Sequence, residues 1–182
     1  MGARPHVRPA LLVALLATLA VALILPVTAA PAGVSGRTAL ARLDSGVLER
    51  LNQIRVLHGL TPLRMNAELN ASAVEHSREM GADGYFEHAS ANGTVFWRRI
   101  AQWYGSSGYD YWSVGENLLW SSPNVDPAEA LRLWMNSPPH RRNILDPHWR
   151  EIGIAAVHVA GAPGMYHGLS VTIITTDFGV RR

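Results

Sequence analysis

The closing segment of this 182-residue chain constrains its fold more than any other. Ile152 to Ala160 and Tyr166 to Phe178 are rich in β-branched residues and flank Gly161, Ala162, Pro163 and Gly164, the pattern of two antiparallel strands joined by a turn. What precedes them has helical periodicity. Leu40, Leu43, Val47, Leu51 and Ile54 recur at three- and four-residue steps up to His58 and Gly59, the stripe of an amphipathic helix. Asn66 is a good cap for a second helix, with Leu69, Ala73, His76 and Met80 on one face and Gly81 and Gly84 at its end. Thr94 can cap a third through Val95, Ile100 and Trp103, and Gly105 to Ser113 reads as a loop. Asp126, Pro127 and Glu129 supply a capping carboxylate, a first-turn proline and a capping-box acid for a fourth, whose apolar face carries Ala130, Leu133 and Trp134. Helices followed by a hairpin, without internal repeat or heptad, predict an α+β or layered α/β domain.

The amino terminus sets the compartment. From Ala10 to Leu25 every residue is apolar except Thr18, Arg4 and Arg8 precede the run, and no acidic residue occurs before Asp44. This is a signal-peptide pattern, and the run ends at Pro26, short of the roughly 20 residues needed to span a membrane. Residues 1–32 are therefore read as a signal peptide, with an uncleaved membrane anchor as the alternative, 33–39 as a linker within the Pro-, Gly-, Ala- and Ser-rich stretch 31–39, and 40–182 as the domain. Either way the domain is secreted or extracytoplasmic, and it touches membrane only through the leader if that is retained.

Charge narrows the partners. Removing Arg4 and Arg8 from sixteen basic residues leaves fourteen, against fourteen acidic ones, with no block of like charge. A nucleic-acid partner is thus not expected. The chain has no cysteine, so an exported domain must rely on packing and hydrogen bonds, and thiolate chemistry is excluded. Nothing in the sequence sets an oligomeric state.

Several short motifs stand in a particular order: Asn52 and Arg55 with His58, Gly59 and Leu60; His76, Ser77 and Met80; Phe86 and His88; Gly115, Glu116, Asn117 and Leu118; Trp134 and the run NSPPHRRNIL from Asn136 to Leu145; Ile152, Gly153, Ile154 and Ala155; and Thr176, Asp177, Phe178 and Gly179. In this order, over about residues 40 to 179, the chain resembles the bacterial, cysteine-free branch of the CAP (SCP-like) superfamily of cysteine-rich secretory, antigen 5 and pathogenesis-related 1 proteins. The resemblance implies a three-layer α/β/α sandwich with a small, mainly antiparallel sheet flanked by helices. It also implies a cleft in which two histidines and two acidic residues can hold a divalent metal. Position by position, His88 matches the first histidine, Glu116 the first acid and His140 the second histidine; the fourth position falls on Ser137, as the bacterial branch tends to show.

The expected ligand cleft is therefore His88, Glu116, Ser137 and His140. Two imidazoles and one carboxylate could bind Zn²⁺ or another divalent cation with an open position for water, making His88, His140 and Glu116 candidate metal ligands. The alternative is a hydrogen-bonded polar cluster with no cofactor. Glu116, His140 and Ser137 are also candidate catalytic residues, as members of a serine–histidine–acid set. Ser137 has a competing role as the cap of a short helix: Pro138 and Pro139 lack donors, leaving the His140 N–H for its hydroxyl. His76 reads as a core histidine outside the site, and Asn52 and Arg55 as scaffold. Trp97, Trp103, Trp112 and Trp120 could line a groove for a lipid, sterol or glycan, or pack in the core. Two functions follow: a binding module for an apolar or cell-envelope ligand, with or without metal, or a metal-assisted hydrolase of peptide or envelope polymers. Enzyme status stays open.

Overall fold

A computed structural model describes residues 32–182, so the expected signal peptide or anchor lies outside the described residues apart from its last position. Helix α1 runs from Ala32 to Leu57, through the segment expected to be a linker. Residues 33–39 carry no proline, and a helix propagates from a packed turn at the cost of one hydrogen-bonded residue at a time. Residues 36–39 are exposed, and the core begins with Leu43, Val47 and Leu51 as the stripe predicts.

Strand β1 (Arg64–Met65) leads into α2 (Ala67–Asp83). The Asn66 side-chain oxygen accepts from the N–H groups of Glu68 and Leu69 at 2.9 and 3.0 Å. Gly84 closes α2 in the left-handed region, φ 73°, whereas Gly81 lies inside the helix and lets it approach Val159. Helix α3 (Phe96–Trp103) is entered through Val95 rather than Thr94, with no side-chain cap. The segment expected only as an uncertain stretch around Val114 to Trp120 is strand β2 (Trp112–Ser121).

Helices α4 (Pro127–Asn136) and α5 (Pro138–Ile144) follow. Asp126 caps α4 by accepting from the Glu129 N–H at 2.9 Å, while the Glu129 carboxylate pairs with Arg132 instead of completing a capping box. Leu131, not Leu133, joins Ala130 and Trp134 in the core; Leu133 is 36% exposed. Strands β3 (Glu151–Val159) and β4 (Val171–Arg181) form the predicted hairpin, but β4 starts five residues later than expected. The connection folds on itself through Ala162 and Leu169, and Tyr166 leaves the strand to bury its ring and donate to the Tyr85 carbonyl at 2.8 Å.

The sheet order is β1-β3-β4-β2, antiparallel except for the β1–β3 pair. Alternation along β4 sorts the two faces. Ile174, Phe178 and Val180 pack with α1, α4 and α5 residues such as Val47, Leu51, Trp134 and Ile144. Val171 and Ile173 face the other way, toward Met80 of α2. The result is the three-layer α/β/α sandwich, with β2 as an edge strand. Asn52 and Arg55 are scaffold as expected. Asn52 exchanges two hydrogen bonds with the Leu63 backbone, and Arg55 donates to the carbonyls of Thr61, Ile144 and Asp146. Among the described residues, no helix is long and apolar enough to cross a membrane.

Candidate functional site

Glu116 of β2 and Asp177 of β4 are cross-strand partners and share the face covered by α2 and α3. An ionised carboxylate there must be compensated. Arg99 of α3, only 3% exposed, forms an ion pair with Glu116 through Nη2 and Oε2. The same guanidinium donates through Nη1 to the His88 carbonyl at 3.0 Å, and so ties the α2–α3 loop to the sheet edge.

The other oxygen of Glu116 takes the imidazole. Nδ1 of His88 lies 2.8 Å from Oε1, and because an ionised carboxylate only accepts, Nδ1 carries the proton. In the neutral ring Nε2 then holds a lone pair. The His88 side chain is 54% exposed, with its ring beside Phe96 at 6.1 Å between centroids.

His140 reaches the same edge from the opposite layer. Its carbonyl accepts from Asn117 Nδ2 at 3.1 Å, and Asn143 donates to the Glu116 carbonyl and to Asn117 Oδ1, both at 2.9 Å, which staples α5 to β2. The half-buried imidazole is held below the ordinary histidine pKa, first by burial and then by the proximity of His88. The structure thus brings His88, Glu116 and His140 to one sheet edge.

Ser137 occupies the junction of α4 and α5, the position predicted for a cap. Its hydroxyl does not make the expected bond to the His140 N–H; its carbonyl accepts from Arg141 instead, at 2.9 Å, and no hydrogen bond links the hydroxyl to an imidazole. His76 is a core histidine, as predicted, but it is not remote from the site. Nε2 donates to the Glu87 carbonyl at 2.9 Å and lies 4.0 Å from Glu116 Oε2. Burial is the main cause that holds its pKa down. The tryptophans do not line one groove: Trp120 packs edge-on to Tyr166, Trp112 donates to the Tyr104 carbonyl, and Trp97 and Trp103 are exposed on α3.

A three-ligand metal site does not fit this arrangement. Both Glu116 oxygens are committed, one to an arginine, and among the described residues no three His, Asp or Glu side chains are placed to hold a metal ion.

Residues 48–170 match the profile of the cysteine-rich secretory protein family, CAP. The chain belongs to the CAP family. Its CAP domain is 34% identical over 131 residues to the uncharacterized Bacillus subtilis protein YkwD, covering 71% of this chain and 46% of that protein. It is 30% identical over 111 residues to the uncharacterized membrane protein YlbC of the same organism, covering 61% and 30%. The chain thus spans less than half the length of these relatives. Among solved structures, an extracellular SCP-domain protein of Bacillus anthracis superposes with a TM-score of 0.56 at 25% identity, over 80% of this chain and 43% of that one. An outer surface protein of Borrelia burgdorferi superposes with a TM-score of 0.55 at 18% identity, over 75% and 90%.

Two residues of this buried cluster escaped the sequence reading. Arg99 had a signal: it stands in the apolar series Phe96, Arg99, Ile100 and Trp103, where a buried arginine demands a carboxylate. Asp177 is completely buried in the β-branched run of β4, and its carboxyl is pushed well above the usual range by burial and by the Glu116 charge beside it.

Proposed function

We propose that this CAP domain is an extracytoplasmic binding module whose cleft, between His88 and His140, takes an apolar or cell-envelope ligand such as a lipid, sterol or glycan. The observation that carries this reading is a half-exposed imidazole fixed by a buried, charge-compensated carboxylate, with a second imidazole brought to the same edge by α5. Ligand sites are built in this way, from a few oriented polar groups on rigid elements. Ser137 contributes backbone geometry at the rim. Export agrees with the leader pattern and with structural relatives described as extracellular and outer surface proteins.

The alternative, a metal-assisted hydrolase of peptide or envelope polymers, needs a free carboxylate ligand, and the Arg99 ion pair weighs against it. The test is binding of the purified full chain, in detergent, to phospholipid micelles, cholesterol and soluble peptidoglycan fragments. The His88→Ala, His140→Ala double variant serves as control. Binding that disappears in the double variant supports the reading. Equal binding by both proteins, or none to any probe, removes it.

A further inference from the structure

Three cationic or potentially cationic groups, Arg99, His76 and His88, lie within 4.0 Å of the buried Glu116 carboxylate, and only one is permanently charged. We propose that the Arg99 guanidinium is the resident cation of the cleft. Glu116 then ligates no metal, and the site engages a ligand that donates a hydrogen bond, such as a hydroxyl or an amide N–H, to Nε2 of His88. The inference rests on the proposed function only in taking this cleft as the ligand site; its statements about Arg99 and Glu116 stand on the geometry alone.

Arg99 cannot yield its place easily. It is almost wholly buried, so swinging away would leave two charges uncompensated in a low-dielectric interior. It is also held from the loop side, by the His88 carbonyl at 3.0 Å and Ser90 Oγ at 3.4 Å, so its release would free the segment that positions His88. A divalent ion at Glu116 would meet the guanidinium's positive charge at close range. The neighbouring carboxyl, Asp177, is completely buried on the same face and so is not itself exposed to a cation.

The Glu116–Arg99 pair has a consequence for recognition. Because Arg99 keeps Glu116 an acceptor, Glu116 fixes His88 as the Nδ1–H tautomer and leaves Nε2 as the accepting nitrogen of a half-exposed ring. A neutral hydrogen-bond donor fits this nitrogen without any ion.

The test uses the full chain, in detergent, with ¹³C-glutamate and ¹⁵N-histidine labels. On addition of Zn²⁺ in large excess, the Glu116 carboxyl carbon is expected to stay in place, and neutral His88 to be protonated on Nδ1. A saturable Zn²⁺-dependent shift of the Glu116 carboxyl, or an Nε2–H tautomer of His88, overturns the proposal. A second arm removes the resident cation. Arg99→Met should raise Zn²⁺ affinity on the order of tenfold or more, the scale of changes around a metal ligand, and Arg99→Met with Glu116→Gln should cancel the gain. An unchanged affinity in folded Arg99→Met contradicts the proposal. If that variant does not fold, the wild-type spectra decide. Failure of every lipid and glycan probe to bind would remove the proposed function and leave the Glu116 result standing.

Discussion

Gly153→Ala should be among the most damaging single-methyl changes in this domain. A Cβ at position 153 would stand 2.1 Å from the Leu69 carbonyl carbon and 2.3 Å from the Asn70 nitrogen, both backbone atoms of α2. Carbon atoms pack at about 3.5 Å, so α2 must lift by roughly 1.4 Å or the strand must sink by as much. Neither is easy. Asn66 N–H to the Ile152 carbonyl and Ile154 N–H to Asn70 Oδ1 pin helix to strand on both sides of the contact, and Leu69, Ala73 and Met80 are buried along the same helix. Overpacking against side chains costs about 1–3 kcal/mol, and a clash with backbone belongs at or above the top of that range. At about 2–4 °C per kcal/mol for a domain of this size, melting should fall by roughly 6–12 °C. The assay is thermal unfolding followed by circular dichroism, with Gly93→Ala as control, since a Cβ there meets nothing within 4 Å and only its positive φ is strained. A Gly153→Ala protein that melts within about 2 °C of wild type would refute the close α2–β3 packing on which the site is built.

Other perturbations report on charge and capping. Asn66→Ala removes the α2 cap and should cost about 1 kcal/mol in urea unfolding. Burial raises the Asp44 pKa from 3.8 to about 6, so the folded state holds this proton more tightly than the unfolded chain. Stability attributable to Asp44 should therefore decline as pH rises from about 4 to about 6, and Asp44→Asn should flatten that decline. The Asp177 carboxyl is raised as well, so Asp177→Asn should stabilise the protein at neutral and alkaline pH, with the gain shrinking toward acid. His76 and His140 are shifted the other way. Their neutral forms favour the fold, and stability should drop as pH falls below about 6.5, a loss that His76→Gln should reduce if its amide keeps the bond to the Glu87 carbonyl.

Much of the architecture was legible because local rules and tertiary packing agree. The α1 stripe, the Asn66 and Asp126 caps and the closing hairpin are all where periodicity and capping chemistry put them. The motif glycines that carry the family resemblance have physical reasons visible only in three dimensions. Gly153 admits the α2 backbone, and Gly115 leaves room for Trp149 and Asn143. Long-range pairing defeated sequence reasoning elsewhere. Leu131 and Leu133 are equally apolar, and only the neighbouring α1 decides which is buried. Glu116 was recognised from its motif, but its partner Arg99 comes from a different layer, and no spacing rule joins position 99 to 116. Asp177 looked like part of a family-style strand ending and proved to be a second buried acid beside Glu116. The expected Ser137 hydroxyl cap failed because the bend between α4 and α5 is closed by backbone bonds, Ser137 N–H to the Trp134 carbonyl and Arg141 N–H to the Ser137 carbonyl.

The ligand-binding cleft proposed for this domain is formed by His88 and His140 over the Glu116–Arg99 pair. Its most direct test is to follow the imidazole ¹⁵N resonances of all eight histidines while the tightest-binding lipid, sterol or glycan probe is added to the full chain. His88 and His140 are expected to shift together and saturate at the same probe concentration, with the exposed His148 and His167 unmoved. Saturable binding that leaves both His88 and His140 unchanged would contradict it.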